Sequence, residues 1–162
     1  MYDDINRLAT TVVELAKSKG KTIGTAESCT GGWIGQALTT VPGSSSVFMG
    51  GLTTYSNEVK INVLGIPTDI INFYGAVSDP TANAMAMQAR DLLGVDIAVS
   101  VTGIAGPGGG TTEKPVGLVY FGLATGARPN TYVKKFGDIG RENVRVKSVI
   151  YALELIRDAL TD

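Results

Sequence analysis

The chain of 162 residues contains no histidine. This absence excludes a Ser-His-Asp triad, a Cys-His pair and a histidine proton shuttle, and it removes the commonest zinc ligand. Any general base must therefore be a lysine, a tyrosine, a carboxylate or a group of the substrate itself. The carboxylates are scattered, with no cluster at ligand spacing, so we expect neither a metal nor another cofactor.

Cysteine and long apolar runs are also scarce. The single cysteine, Cys29, cannot form a disulfide within the chain, which is typical of a reducing, cytoplasmic setting. No run reaches 18 apolar residues, and the first segment has the pattern of a charged helix. We therefore expect a cytoplasmic protein with neither a transmembrane helix nor a signal peptide.

The chain has no large excess of positive or negative charge. The 14 Lys and Arg residues against 15 Asp and Glu residues give a net charge of −1, and only 7% of the residues are aromatic. Nucleic-acid and membrane-surface binders usually show a basic excess, so we expect neither partner. The length matches one domain, residues 1–162, which is large enough to bury a core without disulfides.

Hydrophobic periodicity predicts alternating helices and strands, and the 21 glycines suggest tight turns between them. Helices on both faces of a mixed sheet are the natural packing for this order. The predicted fold class is therefore α/β, a three-layer α/β/α sandwich in one domain. The predicted helices are 3–19, 33–41, 57–64, 68–74, 79–93 and the segment from 140 onward, and the predicted strands are 22–27, 48–55, 96–101, 116–125 and 132–136.

The first candidate cluster is the sequence TAESCTGG, which joins a strand to a glycine-opened helix. Backbone N–H groups at a helix start favour an anion, and Ser28 and Thr30 could add hydroxyl donors. Glu27 could hold a ribose hydroxyl or anchor the turn. The alternative is that Ser28 or Thr30 only caps the helix, while Gly31 allows close packing.

The second cluster combines the serines of PGSSS with the segment YSNEVK. A serine attacks an amide only when another group takes its proton. Without histidine, the available base is Lys60, made neutral by burial, with Tyr55 as a possible relay. In the alternative interpretation, Ser44–Ser46 is an ordinary loop, Tyr55 is a wall residue and Lys60 is a solvated charge.

The third cluster is the glycine-rich segment TGIAGPGGG, which follows a buried strand. It resembles a phosphate cradle, although it matches neither a P-loop nor the dinucleotide fingerprint. Thr102, at the end of the strand, is the best candidate for a polar contact. Lys114 and Arg141 could supply cations. In the alternative interpretation, the segment is a plain long turn, and Arg141 and Arg145 are surface charges at a helix start.

Together, these clusters resemble one protein family. TAESCTGG, PGSSSVFMGGLTTYSNEVKINVLG, GAVSDPTANAMA and SVTGIAGPGGGTTEKPVGLVYFG are similar, in this order, to the C-terminal domain of the competence/damage-inducible protein CinA. The resemblance covers roughly residues 9–160. The same domain also occurs alone as nicotinamide-nucleotide amidohydrolase, which hydrolyses nicotinamide mononucleotide to nicotinate mononucleotide and ammonia.

The resemblance implies a serine nucleophile in the Gly-Ser-Ser segment, at Ser45, with Tyr55 and Lys60 in proton transfer. The neighbouring serines Ser28, Ser44 and Ser46 remain open as alternatives. The expected substrate-binding residues are Ser28, Thr30, Gly31, Thr102, Gly103, Gly106 and Arg141.

The expected partner is a small nucleotide substrate. Apolar strands in a chain that is 44% hydrophobic also favour a homo-oligomer. The alternative function is a nucleotide-binding module in which the serine and the lysine do no chemistry.

Overall fold

A computed structural model describes residues Met1–Asp162. Six α-helices, five strands and one 3-10 turn follow each other along the chain. The helices are α1 (Tyr2–Lys19), α2 (Trp33–Thr39), α3 (Asn57–Asn62), α4 (Thr68–Tyr74), α5 (Asp79–Leu93) and α6 (Arg141–Thr161). The strands are β1 (Ile23–Glu27), β2 (Phe48–Thr53), β3 (Ile97–Gly103), β4 (Leu118–Ala124) and β5 (Asn130–Lys135), and the 3-10 turn is Ser44–Ser46.

The five strands form one mixed sheet in the order β2-β1-β3-β4-β5. β1 runs parallel to both of its neighbours, with Glu27 opposite Thr53 of β2 and Val101 of β3. β4 and β5 are antiparallel additions on the other side of β3. The carboxyl ends of β1, β2 and β3 therefore meet at one edge of the sheet.

Helices cover both faces of this sheet, as the sequence predicts. The larger hydrophobic core lies between the sheet and α1, α2 and α6, and it includes Phe121 and Leu153. A smaller core on the other face joins the sheet to α5 and the segments before it, and it includes Met85. The three-layer α/β/α interpretation is confirmed.

The ends of the long helices follow local signals in the sequence. α1 and α5 end at Gly20 and Gly94, both in the left-handed conformation that glycine adopts without strain. The Ser78 side chain accepts a hydrogen bond from Thr81 N–H at the start of α5, and Pro80 occupies the first turn. No helix combines the length and the apolar composition that crossing a bilayer requires.

Candidate active site

The three segments that follow β1, β2 and β3 surround a cavity of about 260 Å³. Ligands of open α/β sheets bind in this position, outside the carboxyl ends of parallel strands. No aspartate or glutamate lines the cavity. Its lining residues are Ser28, Cys29, Tyr55, Asn57, Lys60, Ala76, Val77, Thr102, Gly103, Ile104, Ala105, Gly106, Gly108, Gly109 and Arg141.

Lys60 is the most deeply buried cation of the protein, with only 1% of its surface exposed. It lies on α3, whose start is fixed because the Ser56 hydroxyl accepts a hydrogen bond from Val59 N–H. Its Nζ lies 2.9 Å from the carbonyl oxygen of Thr54 and 3.0 Å from that of Tyr55. The solvated-charge interpretation of Lys60 is therefore wrong.

The third partner of Lys60 is a serine. Nζ lies 3.0 Å from the Oγ of Ser28, and no carboxylate forms an ion pair with it. Burial lowers the pKa of the Lys60 ammonium from 10.5 to about 8, because the charged form loses its hydration and gains no counter-charge. An amine with such a pKa can accept a proton near neutral pH.

Ser28 stands at the point where β1 gives way to the glycine turn. Its backbone N–H donates to the carbonyl of Val101, so the end of β1 stays attached to β3 at this residue. Its side chain is buried except for 7% of the residue surface, and it faces the cavity beside Lys60. The interpretation of Ser28 as a mere helix cap does not fit, because none of the α2 amides donates to its Oγ.

Ser45 is not brought to Lys60 within the chain. The Ser44–Ser46 turn precedes β2, whereas Lys60 follows it, so the six residues of β2 separate the two. At about 3.3 Å per residue, this strand places the turn roughly 20 Å away, at the opposite edge of the sheet. Ser45 is exposed and lines no part of the cavity. The expectation that Ser45 passes its proton to Lys60 needs correction, and Ser28 occupies that position.

Thr30 and Gly31 do not line the cavity either. The Thr30 hydroxyl donates to Glu27 Oε1 at 2.6 Å, and the same carboxylate accepts from the backbone N–H groups of Ile34 and Gly35 at 2.9 and 3.0 Å. Glu27 therefore occupies the start of α2, where an external anion was expected to bind. It anchors the turn, and it has no free oxygen for a ribose hydroxyl because only 1% of it is exposed.

Arg141 and Tyr55 form the open side of the cavity. Arg141 begins α6, and its guanidinium donates to the carbonyl of Gly106 at 2.7 Å and to the Tyr55 hydroxyl at 3.1 Å. The Tyr55 side chain is largely exposed. Its backbone carbonyl, not its hydroxyl, contacts Lys60, so the phenol does not stand between Ser28 and Lys60 as a relay.

The glycine-rich loop after β3 supplies the remaining wall. Thr102, Gly103 and Gly106, which are expected to bind substrate, all line the cavity. The Thr102 hydroxyl donates to the carbonyl of Ala76, which joins this wall to the segment before α5. Lys114 lies outside the cavity, where its ammonium donates to the carbonyl of Tyr74.

Sequence reasoning did not single out three of the lining residues, Asn57, Ala76 and Val77. Asn57 belongs to the candidate segment YSNEVK, whereas Ala76 and Val77 belong to GAVSDP, to which only the resemblance draws attention. Cys29 also reaches the cavity, and burial raises the pKa of its thiol to about 12. It is therefore a neutral thiol, as expected from the absence of an activating partner.

A larger cavity of about 630 Å³ lies at the opposite edge of the sheet. Its wall carries charges of both signs, among them Lys19, Arg90 and Asp158, with Tyr132 beside them. It contains neither a serine nor a cysteine. No group of three or more Cys, Asp or Glu side chains in the protein is arranged to hold a metal ion. The Ser28 hydroxyl and the Lys60 amine therefore lie in the cavity of about 260 Å³ and not in this larger one.

The fold and the site define an α/β/α domain with a buried serine–lysine pair at the carboxyl edge of a mixed sheet. The model of the CinA C-terminal domain family matches residues 5–160. The chain belongs to this family, which confirms the resemblance.

Curated relatives and solved structures agree with this assignment. A CinA-like protein of Parasynechococcus marenigrum is 49% identical over 154 residues, which cover 94% of this chain and 37% of the relative. One of Synechocystis is 47% identical over 159 residues, which cover 97% and 38%. The chain thus spans little more than a third of the length of these relatives.

The fold is also known from crystals. The competence/damage inducible protein CihA from Agrobacterium tumefaciens has a TM-score of 0.95 and 43% identity, covering 98% of this chain and 96% of that one. A CinA superfamily protein from Escherichia coli has a TM-score of 0.92 and 27% identity, covering 100% and 93%.

Proposed function

We propose that this protein hydrolyses the carboxamide of nicotinamide mononucleotide, giving nicotinate mononucleotide and ammonia, with Ser28 as nucleophile and Lys60 as base. The observation that carries this proposal is the 3.0 Å distance between Ser28 Oγ and Lys60 Nζ in a buried setting. Without a histidine in the chain, this pair is the available substitute for a serine–histidine dyad.

The partners of Lys60 fix the direction of its lone pair. A neutral amine has two N–H groups, and the two carbonyl oxygens of Thr54 and Tyr55 accept them. The lone pair is then left for the Ser28 hydroxyl, which is the third neighbour. Lys60 therefore accepts the Ser28 proton directly as Oγ attacks the carboxamide carbon, and the phenol of Tyr55 is not required as a relay.

The tetrahedral intermediate needs a donor for its oxyanion. The backbone N–H of Cys29, directly after the nucleophile, has no backbone carbonyl as acceptor and belongs to a residue that lines the cavity. A donor in that position is typical of serine hydrolases, and one such donor contributes about 3–4 kcal/mol to the transition state. The Lys60 ammonium then protonates the leaving amine, ammonia departs, and water hydrolyses the Ser28 ester with Lys60 again as base.

The charge of the cavity supports an anionic substrate. Its ionisable side chains include Lys60 and Arg141 and no carboxylate. We assign the 5′-phosphate to the side formed by Arg141 and the glycines of the loop after β3, and the carboxamide of the pyridine ring to the side of Ser28 and Lys60. Gly103 and Gly106 bring the backbone close to the ligand. Neither a metal nor another cofactor enters this reaction, and a homo-oligomer stays a prediction.

The test is ammonia release from nicotinamide mononucleotide by the purified protein in the presence of EDTA. We expect metal-independent turnover in the wild type and its loss in Lys60→Met, which has a similar shape and no base. Arg157→Gln, at the far end of α6, is the control for a lost surface cation. Binding of the nucleotide without ammonia release in the wild type would favour the alternative of a non-catalytic binding module.

A further inference from the structure

Arg145 lies on α6 one helical turn after Arg141, but it contacts the turn after β1 and not the loop after β3. Its Nε donates to the carbonyl of Cys29 at 3.0 Å, and its Nη2 donates to the carbonyl of Thr30 at 3.2 Å. Arg145 does not line the cavity. It therefore contacts the turn that carries Ser28 from behind.

The surroundings of Arg145 favour this contact over an ion pair. No carboxylate forms a salt bridge with its guanidinium. The guanidinium lies over the ring of Trp33, 5.2 Å from the centroid, and Trp33 in turn packs against Tyr2. A planar guanidinium that stacks on an aromatic ring can hold two neighbouring carbonyls through separate N–H groups in a fixed arrangement.

The turn that Arg145 holds is also closed by backbone hydrogen bonds, from Gly31 N–H to the Ser28 carbonyl and from Trp33 N–H to the Thr30 carbonyl. Gly31 and Gly32 follow Thr30 with φ values of 63° and 102°, and glycine moves easily among such conformations. On the other side, the Ser28 N–H is fixed by the carbonyl of Val101. The Thr30 carbonyl and the Gly31 N–H belong to one rigid peptide plane, and this N–H donates to the Ser28 carbonyl at 3.0 Å. By holding the Thr30 carbonyl, Arg145 therefore also orients the Ser28–Cys29 peptide, which carries the Cys29 N–H.

We propose that Arg145 is a positioning residue for the nucleophile: it holds the carbonyls of Cys29 and Thr30 so that Ser28 Oγ stays in hydrogen-bond contact with Lys60. This inference rests on the proposed function. It gives Arg141 and Arg145, on one face of α6, different roles. Arg141 borders the cavity and contacts its wall, whereas Arg145 acts through the backbone of the turn and touches no substrate.

The experiment compares Arg145→Gln, Arg145→Lys and Arg157→Gln with the wild type in steady-state kinetics, at a temperature well below the Tm of each variant. We expect Arg145→Gln to lower kcat about 10- to 100-fold, which is typical when reacting groups are misplaced by a fraction of an ångström to 1 Å. KM and the apparent pKa of the pH–rate profile should remain unchanged, because the cavity wall and the burial of Lys60 are unaffected. Arg145→Lys should recover part of kcat, and Arg157→Gln should behave as the wild type.

A purely structural role would lower the Tm without lowering kcat in the folded protein, and that result overturns the inference. An unchanged kcat in Arg145→Gln, or a raised KM with kcat intact, overturns it as well.

A second readout separates this inference from the proposed function. The rate at which a fluorophosphonate modifies Ser28, followed by mass spectrometry, does not require turnover of the nucleotide. We expect slower modification in Arg145→Gln than in Arg157→Gln, whereas equal rates contradict the inference. If the wild type releases no ammonia but Ser28 shows this difference, the proposed function fails and the positioning role stands.

Discussion

Lys60 Nζ and Ser28 Oγ lie 3.0 Å apart, although 32 positions separate the two residues in the chain. The parallel pairing of β1 and β2 produces this contact, since it brings the residues after both strands to one edge of the sheet. The same pairing sends the Ser44–Ser46 turn to the other edge. The sheet topology therefore determines that Lys60 can accept a proton from Ser28 and not from Ser45.

Because only Ser28 contacts Lys60, alanine substitution can show whether Ser28 or Ser45 is the nucleophile. We expect Ser28→Ala to lower kcat/KM for nicotinamide mononucleotide by roughly 10³-fold or more, as removal of a nucleophile does in serine hydrolases. Ser45→Ala should leave kcat/KM close to the wild-type value, because Ser45 is exposed and remote from Lys60 within the chain. Ammonia release measured on both variants decides the matter. Loss of activity in Ser45→Ala, with activity retained in Ser28→Ala, would show that Ser45 is the nucleophile.

The titration of Lys60 sets the pH dependence of the reaction. The base must be neutral, and a pKa of about 8 leaves only about a tenth of Lys60 neutral at pH 7. We expect kcat/KM to rise with pH up to about 8 and to level off above it, as measured by initial rates from pH 6 to 10. Lys60→Arg keeps the charge and removes the base, so it should show little activity at any pH in this range. A profile that falls across pH 7–9 would contradict the role of Lys60.

The same pKa shift predicts how stability depends on pH. Between pH 8 and 10.5 the unfolded chain keeps the Lys60 proton, whereas the folded protein has lost it. The unfolded state then binds more protons, so the free energy of unfolding rises with pH through this window. The full effect is on the order of 3 kcal/mol. Urea unfolding of the wild type and of Lys60→Met across pH 7–10.5 should show this rise in the difference between them, and parallel curves would argue against a buried ammonium.

Most of the fold could be predicted from the sequence, because the hydrophobic periodicity of α1 and α5 and the buried run of β3 are local signals. Pro80 near the start of α5 and Gly94 at its end are further local signals of its bounds. The candidate site was only partly predictable. The involvement of Lys60 followed from the absence of histidine and from the resemblance, but its partner depended on strand register, which no local pattern encodes.

Side-chain contacts that no local pattern encodes also explain why the structure differs from the predictions for Thr30 and Arg145. Thr30 looked like a ligand donor because a hydroxyl next to glycines is typical of anion sites. The sequence does not show that Glu27 points forward along the chain and accepts from the Thr30 hydroxyl and from the Ile34 and Gly35 amides. Arg145 looked like a surface charge, since its partners are carbonyls of a segment more than 100 positions away.

Glu27 is predicted to matter for stability more than for binding. Its carboxylate is buried and accepts three hydrogen bonds, two of them from backbone amides of α2. Glu27→Gln replaces one acceptor oxygen by a donor, which leaves a buried amide unpaired. We expect a loss of about 1–3 kcal/mol in the free energy of unfolding, measured by urea denaturation. The matched control is Glu14→Gln on the exposed face of α1, which should cost far less.

Arg141 is predicted to act on binding, because its guanidinium borders the cavity and lies near neither Ser28 nor Lys60 in the hydrogen-bond network. Charge-assisted hydrogen bonds to a phosphate contribute about 1.5–3 kcal/mol, so Arg141→Gln should raise KM for nicotinamide mononucleotide roughly 10- to 100-fold.

Nicotinamide riboside, which keeps the pyridinium ring, separates phosphate recognition from a general disturbance of the site. It lacks the phosphate that Arg141 would bind, so Arg141→Gln should change its kcat/KM far less than that of the mononucleotide. Tyr55→Phe removes the hydroxyl that Arg141 contacts and serves as the control for a loosened side chain. If both substrates lose kcat/KM equally in Arg141→Gln, the arginine shapes the cavity wall and the phosphate binds elsewhere.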